Sequence, residues 1–168
     1  MELGSKSDQE LEQWIQNHEG QTGGTAKPLY GALLEERARR AQAKQPLNLE
    51  QSLNHLKDAA GKGRCTTYGD LAKASGIIWS QARHQMNGHG GHLDRLLDLC
   101  HARKLPLLTA ICVNQTGLAD GELEETALAG FVAGARRLGF LVTNERAFHH
   151  HCRDECWNWG RFHMGRSA

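Results

Sequence analysis

Apolar residues recur at three- and four-residue intervals along the first third of the chain, which is the spacing of amphipathic α-helices. The first of these stretches follows Ser7, the second begins at Pro28 and the third follows Asn48. Serine and asparagine favour the residue before a helix, and proline suits its first turn. The pattern therefore predicts an N-terminal helical segment over residues 1–63.

The pattern changes to shorter elements after this segment. A brief β-favouring stretch leads into two short helices, one over residues 68–75 capped by Thr67 and one over residues 81–86 capped by Ser80. The remaining predicted elements, in chain order, are a helix over 92–103, a buried strand in the apolar run 105–114, a helix over 124–138, a strand over 140–143 and a helix from Asn144 to about Trp159.

These elements predict a mainly α protein with a small β element. The helical N-terminal part, residues 1–63, is expected to pack on a winged-helix-like core with C-terminal helices, residues 64–168. At 168 residues the chain is long enough to bury one sizeable core, so we expect one compact domain overall.

Charge and cysteine content narrow the functional classes. Twenty basic and 19 acidic residues give a net charge of +1, which excludes a strongly basic nucleic-acid-binding protein but leaves room for a local patch. No apolar run is long enough to span a membrane, so no membrane partner is expected. The five cysteines, an odd number without an export signal, indicate reduced thiols and a cytoplasmic location.

Two short helices after a brief strand, followed by a helix, an apolar strand and a turn, match the order of a helix-turn-helix with a β-wing. In such modules the second helix enters the major groove of DNA, while hydroxyls and helix N-termini contact phosphates. The sequence therefore predicts a non-enzymatic DNA-binding protein. Its candidate contacts are Thr67 and Tyr68 at the start of the first short helix and, from the second short helix, Ser80, Arg83, His84, Gln85 and Asn87.

Two further expectations follow from this segment. The same helices would serve a protein-interaction or adaptor module if they only pack against another protein. In the DNA-binding case, nearby histidines would add positive charge below neutral pH. They are His84, His89, His92 and His101.

The stretches Thr-Thr-Tyr-Gly-Asp-Leu-Ala-Lys-Ala-Ser-Gly and Ser-Gln-Ala-Arg-His-Gln-Met, within residues 66–86, resemble the DNA-binding half of the alkylguanine-DNA alkyltransferases and of their catalytically inactive alkyltransferase-like relatives. The resemblance covers about 50 of the 168 residues. It implies that Tyr68 contacts phosphate and that Arg83 fills the base stack when a base is flipped out.

The reactive Pro-Cys-His-Arg motif of that family is absent. Cys100 is followed by His101 but lies in an amphipathic helix, and Cys112 lies in the apolar run without a following His-Arg. Both cysteines are therefore expected in the core. An alkyl-transfer or metal-dependent enzyme remains an alternative to the binding protein.

The C-terminal region is rich in histidine and cysteine. A zinc site could draw on His149, Cys152, Cys156 and His163. However, Phe148, Cys152, Cys156 and Trp159 also form one apolar helical stripe. We favour the stripe, and we therefore expect no cofactor and no stoichiometric zinc.

Overall fold

The computed structural model describes residues 2–164, so residue 1 and residues 165–168 of the two predicted segments lie outside the described part. The chain is mainly α-helical with a small β element, as predicted. Its elements are α1 (Asp8–Glu19), α2 (Pro28–Gln42), α3 (Leu49–Gly61), β1 (Thr66–Thr67), α4 (Tyr68–Ala74), α5 (Trp79–Met86), α6 (His92–Ala102), β2 (Cys112–Val113), α7 (Glu125–Arg137) and α8 (Glu145–His163).

Local capping bonds fix most of the helix starts. The Ser7 hydroxyl accepts a bond from the Glu10 amide, and the Glu10 carboxylate accepts one from the Ser7 amide, which completes the predicted capping box. Asn48 caps α3, and Thr67 caps α4 by accepting from the Asp70 amide. These predicted caps are confirmed. The prediction for Ser80 is wrong, because α5 begins at Trp79, two residues before the predicted start at residue 81, and has no side-chain cap.

The core joins the two predicted segments of the chain. Helix α2 packs on α6 and helix α3 packs on α8, so the N-terminal helices share their apolar faces with the rest of the molecule. The α3–α8 contact is close enough that a Cβ built at Gly160 would lie 2.2 Å from the Ala60 carbonyl oxygen. Glycine is therefore required at this crossing.

The small sheet differs from the predicted arrangement. Thr66 pairs with Cys112 and Thr67 with Val113, and the two strands are parallel. Of the predicted strand over 105–114, only Cys112–Val113 pairs as a strand, because Leu108–Ile111 forms a 3₁₀ turn. Residues 140–143 form no strand. The described strands therefore do not form an antiparallel hairpin of the kind a wing would need.

No helix in the described part of the chain is both long enough and apolar enough to cross a bilayer.

Candidate nucleic-acid interface and the adjoining cavity

Helices α4 and α5 are joined by residues 75–78 and pack against each other, and α5 presents one face to solvent. Ala82 and Met86 are fully buried, as predicted, whereas Arg83 and His84 are exposed. Gln85 was expected to be exposed but is only partly so, because its Oε1 is buried, without a hydrogen-bond partner in the described structure.

Three residues follow one another at four-residue intervals along this exposed face. They are Trp79, Arg83 and Asn87, all exposed, and Ser80 lies beside them at the start of the helix. Trp79 and Arg83 share one side of α5, and Asn87 follows the helix with an extended backbone. The face therefore presents an indole and a guanidinium, with an amide just beyond its end.

The cations of this region are not used for internal ion pairing. Among the described arginines, only Arg64, Arg83 and Arg161 have no carboxylate partner, and the other nine are paired. Lys73, on α4, is likewise exposed and forms no ion pair with the described residues. Within residues 64–87 there are three such cations, Arg64, Lys73 and Arg83, and one acidic residue, Asp70. The region therefore has the local positive bias that the net charge of the whole chain conceals.

A cavity of about 540 Å³ opens beside the exposed face. Its walls come from the start of α4, the turn after α5, α6, β2 and α7. Tyr68 and Asn87 line it on the side of the helix-turn-helix, and Cys112 and Thr109 line it from the segment around β2. The Tyr68 ring stacks on Trp79 with 6.4 Å between ring centroids. The cavity is therefore continuous with the α5 surface.

The inner wall of the cavity carries groups that the sequence analysis did not single out. Thr109 is buried and its Oγ1 has no hydrogen-bond partner within the described residues. Arg137 also lines the cavity and lies 2.8 Å from the fully buried Asp98, which Arg37 contacts at 2.8 Å as well. Asp98 lies between the Arg37 and Arg137 guanidiniums, and moving one of these side chains would leave a buried charge unpaired. This ion-pair cluster therefore holds the inner wall in place.

Cys112 in this cavity is not an activated nucleophile. It is 2% exposed, and burial raises the pKa of its thiol well above the ordinary value, with further increases from Cys65 and Asp70. Cys100 is also buried, and burial raises the pKa of its thiol to about 12. The prediction that both thiols lie in the core is confirmed. Reactive cysteines need the opposite environment, with a nearby cation or helix N-terminus that lowers the pKa.

Two of the four histidines expected at the surface lie elsewhere. His92 is fully buried and its Nε2 lies 2.8 Å from the Ser52 hydroxyl, and burial lowers its pKa to about 4. His101 bonds to the Thr25 carbonyl and packs on Tyr30. Only His84 and His89 are exposed near α5.

The C-terminal cysteines behave as the apolar stripe predicts. Cys152 and Cys156 are buried on the inner face of α8, and the Cys156 thiol donates to the Leu107 carbonyl at 3.3 Å. His163 packs on Trp159. The alternative ligand set of His149, Cys152, Cys156 and His163 is therefore not assembled. Within residues 2–164, one group of three potential metal ligands does occur, formed by Glu122, His149 and His150.

Comparison with protein-family models, with curated proteins and with solved structures finds no match to this chain. The functional argument therefore depends on the geometry of the site.

Proposed function

We propose that the protein binds DNA through the exposed face of α5 and accepts an extruded base in the adjoining cavity, without chemical modification of that base. The observation that carries the proposal is the position of Arg83. It is exposed, has no ion-pair partner in the described structure, and lies one helical turn from Asn87, which lines the cavity.

The composition of the α5 face supports contact with bases. Arginine and asparagine make the two-pronged hydrogen bonds by which proteins recognise guanine and adenine. An exposed tryptophan offers a surface on which a base can stack. Trp79 and Arg83 on one side of the helix, with Asn87 just beyond its end, therefore offer both kinds of contact.

The size and lining of the cavity favour the second part of the proposal, the binding of an extruded base. A volume of about 540 Å³ lies in the usual range for small-molecule sites, and an aromatic side chain, Tyr68, lines it. Proteins that examine single bases hold them in such pockets by stacking and by hydrogen bonds to the base edge. The protonated, buried Cys112 thiol favours binding over alkyl transfer.

The exposed apolar residues at the start of α5 favour one second candidate, a protein-interaction module. Ile78 is 64% exposed and Trp79 40% exposed, and apolar side chains of this size are typical of protein contacts. Both functions would use the same surface, so the experiment must separate them by the ligand.

A titration of fluorescently labelled duplex and single-stranded DNA tests the proposal. Arg83→Ala should weaken duplex binding by about 5- to 150-fold, which corresponds to about 1–3 kcal/mol for a base contact. Tyr68→Phe should weaken it less, because a phosphate bond is one of several positioning contacts. Arg39→Ala is the matched control, since it removes one exposed arginine from α2, and its affinity should stay within about twofold of wild type.

The cavity can be tested separately at Gly130. This residue lines the cavity, and a Cβ built there meets no atom within 4 Å. A large side chain in Gly130→Trp should occupy the cavity and weaken duplex binding, whereas Gly130→Ala should not. Equal affinity of wild type, Arg83→Ala and Arg39→Ala for DNA would reject the proposal and favour the protein-interaction module.

A further inference from the structure

We propose that Glu122, His149 and His150 form a binding site for a zinc-class divalent metal ion. One potential ligand atom from each residue lies within 4.8 Å of those of the other two. Imidazole nitrogen with carboxylate oxygen is a donor set that zinc accepts. This proposal departs from the sequence-based expectation of no zinc and uses only one of the four residues considered there.

His149 provides the observation that points to a ligand. Its side chain is fully buried, and its Nε2 lies 2.9 Å from the Ala110 carbonyl oxygen. A carbonyl can only accept, so Nε2 carries the proton and Nδ1 of the neutral ring presents a lone pair. That Nδ1 is buried and has no hydrogen-bond partner in the described structure. A backbone carbonyl that fixes the tautomer in this way is typical of metal-ligating histidines.

The other two ligands are already drawn together and are open to solvent. His150 Nε2 lies 2.5 Å from Glu122 Oε1, and both side chains are about one third exposed. A tetrahedral zinc ion places its ligand atoms about 3.4 Å apart at ordinary bond lengths. Small rotations of these two exposed side chains would therefore admit an ion, with water at the remaining position.

The surrounding charges are compatible with this site. The Arg146 guanidinium donates to Glu122 Oε2 at 3.1 Å and to the Leu123 carbonyl at 2.6 Å, so it orients the carboxylate from the side away from the histidines. Arg153 lies 3.7 Å from Oε1. When a metal ion binds Oε1, the Arg153 guanidinium would lose this weak contact with Glu122. Its hydrogen bonds to the Asp120 and Gly121 carbonyls would keep it close to the site.

The site is connected to the cavity described above. His149 bonds to Ala110, which lies in the 3₁₀ turn Leu108–Ile111 together with the cavity residue Thr109. A metal ion held by Glu122 and the two histidines would therefore tie α8 and the segment before α7 to the turn beneath the cavity. Its expected consequence is a more stable fold.

Calorimetric titration of untagged full-length protein with zinc chloride, repeated with cobalt(II) as a spectroscopic probe, tests the site. We expect one ion per chain, and a tetrahedral cobalt spectrum in the visible range. Glu122→Gln and His150→Gln should each weaken binding by about tenfold or more. Zinc should raise the melting temperature of the wild type but not that of these two variants.

Two matched controls come from the same helix. His151 is exposed and pairs with Glu155 one turn away, so His151→Gln removes a neighbouring imidazole outside the site. Cys152→Ser tests the alternative cysteine set. Both should bind zinc within about twofold of wild type. Absence of saturable zinc binding, binding that survives in Glu122→Gln and His150→Gln, or binding lost in Cys152→Ser would each overturn the proposal.

Discussion

Buried polar residues determine how this protein responds to pH. Asp98 is fully buried, but the arginines around it supply compensating charge. His92 is different, because its only polar contact among residues 2–164 is the Ser52 hydroxyl, and burial lowers its pKa. The protonated form of His92 is therefore disfavoured in the folded state alone.

We predict that this residue makes the fold sensitive to mild acid. The pKa of His92 is lowered from 6.5 to about 4 in the folded protein, so between these values the unfolded state binds more protons. The contribution of neutral His92 to the free energy of unfolding is fully present above pH 6.5 and is lost as the pH falls toward 4. The loss amounts to about 3 kcal/mol, since one pKa unit corresponds to about 1.4 kcal/mol.

Urea unfolding at neutral and at acid pH measures this effect. The free energy of unfolding of His92→Gln should fall less with decreasing pH than that of the wild type, whatever its value at neutral pH. His151→Gln, at an exposed position, should follow the wild type. A variant at position 92 with an unchanged pH dependence would show that other groups cause the acid sensitivity.

At the scale of elements, the sequence predicted those features that depend on neighbouring residues. The caps at Ser7, Asn48 and Thr67 were predictable because each is a bond between residues three positions apart. The outward direction of Arg83 and the inward direction of Met86 followed from helical periodicity. Ser80 was wrongly placed as a cap because α5 begins at Trp79 after Ile78, a residue that local capping rules do not favour.

The features that the sequence did not predict depend on distant residues. The apolar run before Cys112 is buried by helices on several sides, and such a run fits a 3₁₀ turn as well as a strand. The cavity is formed by residues as far apart in the chain as Tyr68 and Gly130. Glu122 was not among the candidate ligands, because its contact with His150 arises only from tertiary packing.

Replacing Gly160 or Gly130 by alanine should change the stability of the fold in opposite directions. Gly160→Ala should destabilise the protein by about 1–3 kcal/mol, because the added Cβ meets the α3 backbone at 2.2 Å. Gly130→Ala should stabilise it by up to about 1 kcal/mol, because the site is open and alanine is the better helix former. Thermal unfolding of both variants measures the two effects, and a destabilised Gly130→Ala would contradict the α7 packing described here.

At the scale of the whole molecule, charge limits how the protein can hold DNA. The net charge is only +1, and most described arginines are neutralised by acids within the fold. The exposed cations available near α5 are Arg64, Lys73 and Arg83, with His84 and His89 added below neutral pH. DNA binding must therefore combine a small electrostatic contribution with base contacts. A protein with a broad basic surface would not need such base contacts to bind DNA.

We predict a salt dependence that reflects this small number of cations. If about three to five phosphates are neutralised, the logarithm of the association constant should fall with the logarithm of salt concentration with a slope of about −2.7 to −4.5. Raising the salt concentration fourfold would then weaken binding by about 40- to 500-fold. Lys73→Ala should reduce the slope by about one, and Arg39→Ala should leave it unchanged. Titrations of labelled duplex at several salt concentrations measure these slopes. A slope near zero would exclude phosphate contacts, and a slope equally altered by Lys73→Ala and Arg39→Ala would place the DNA on a surface other than the α4–α5 face.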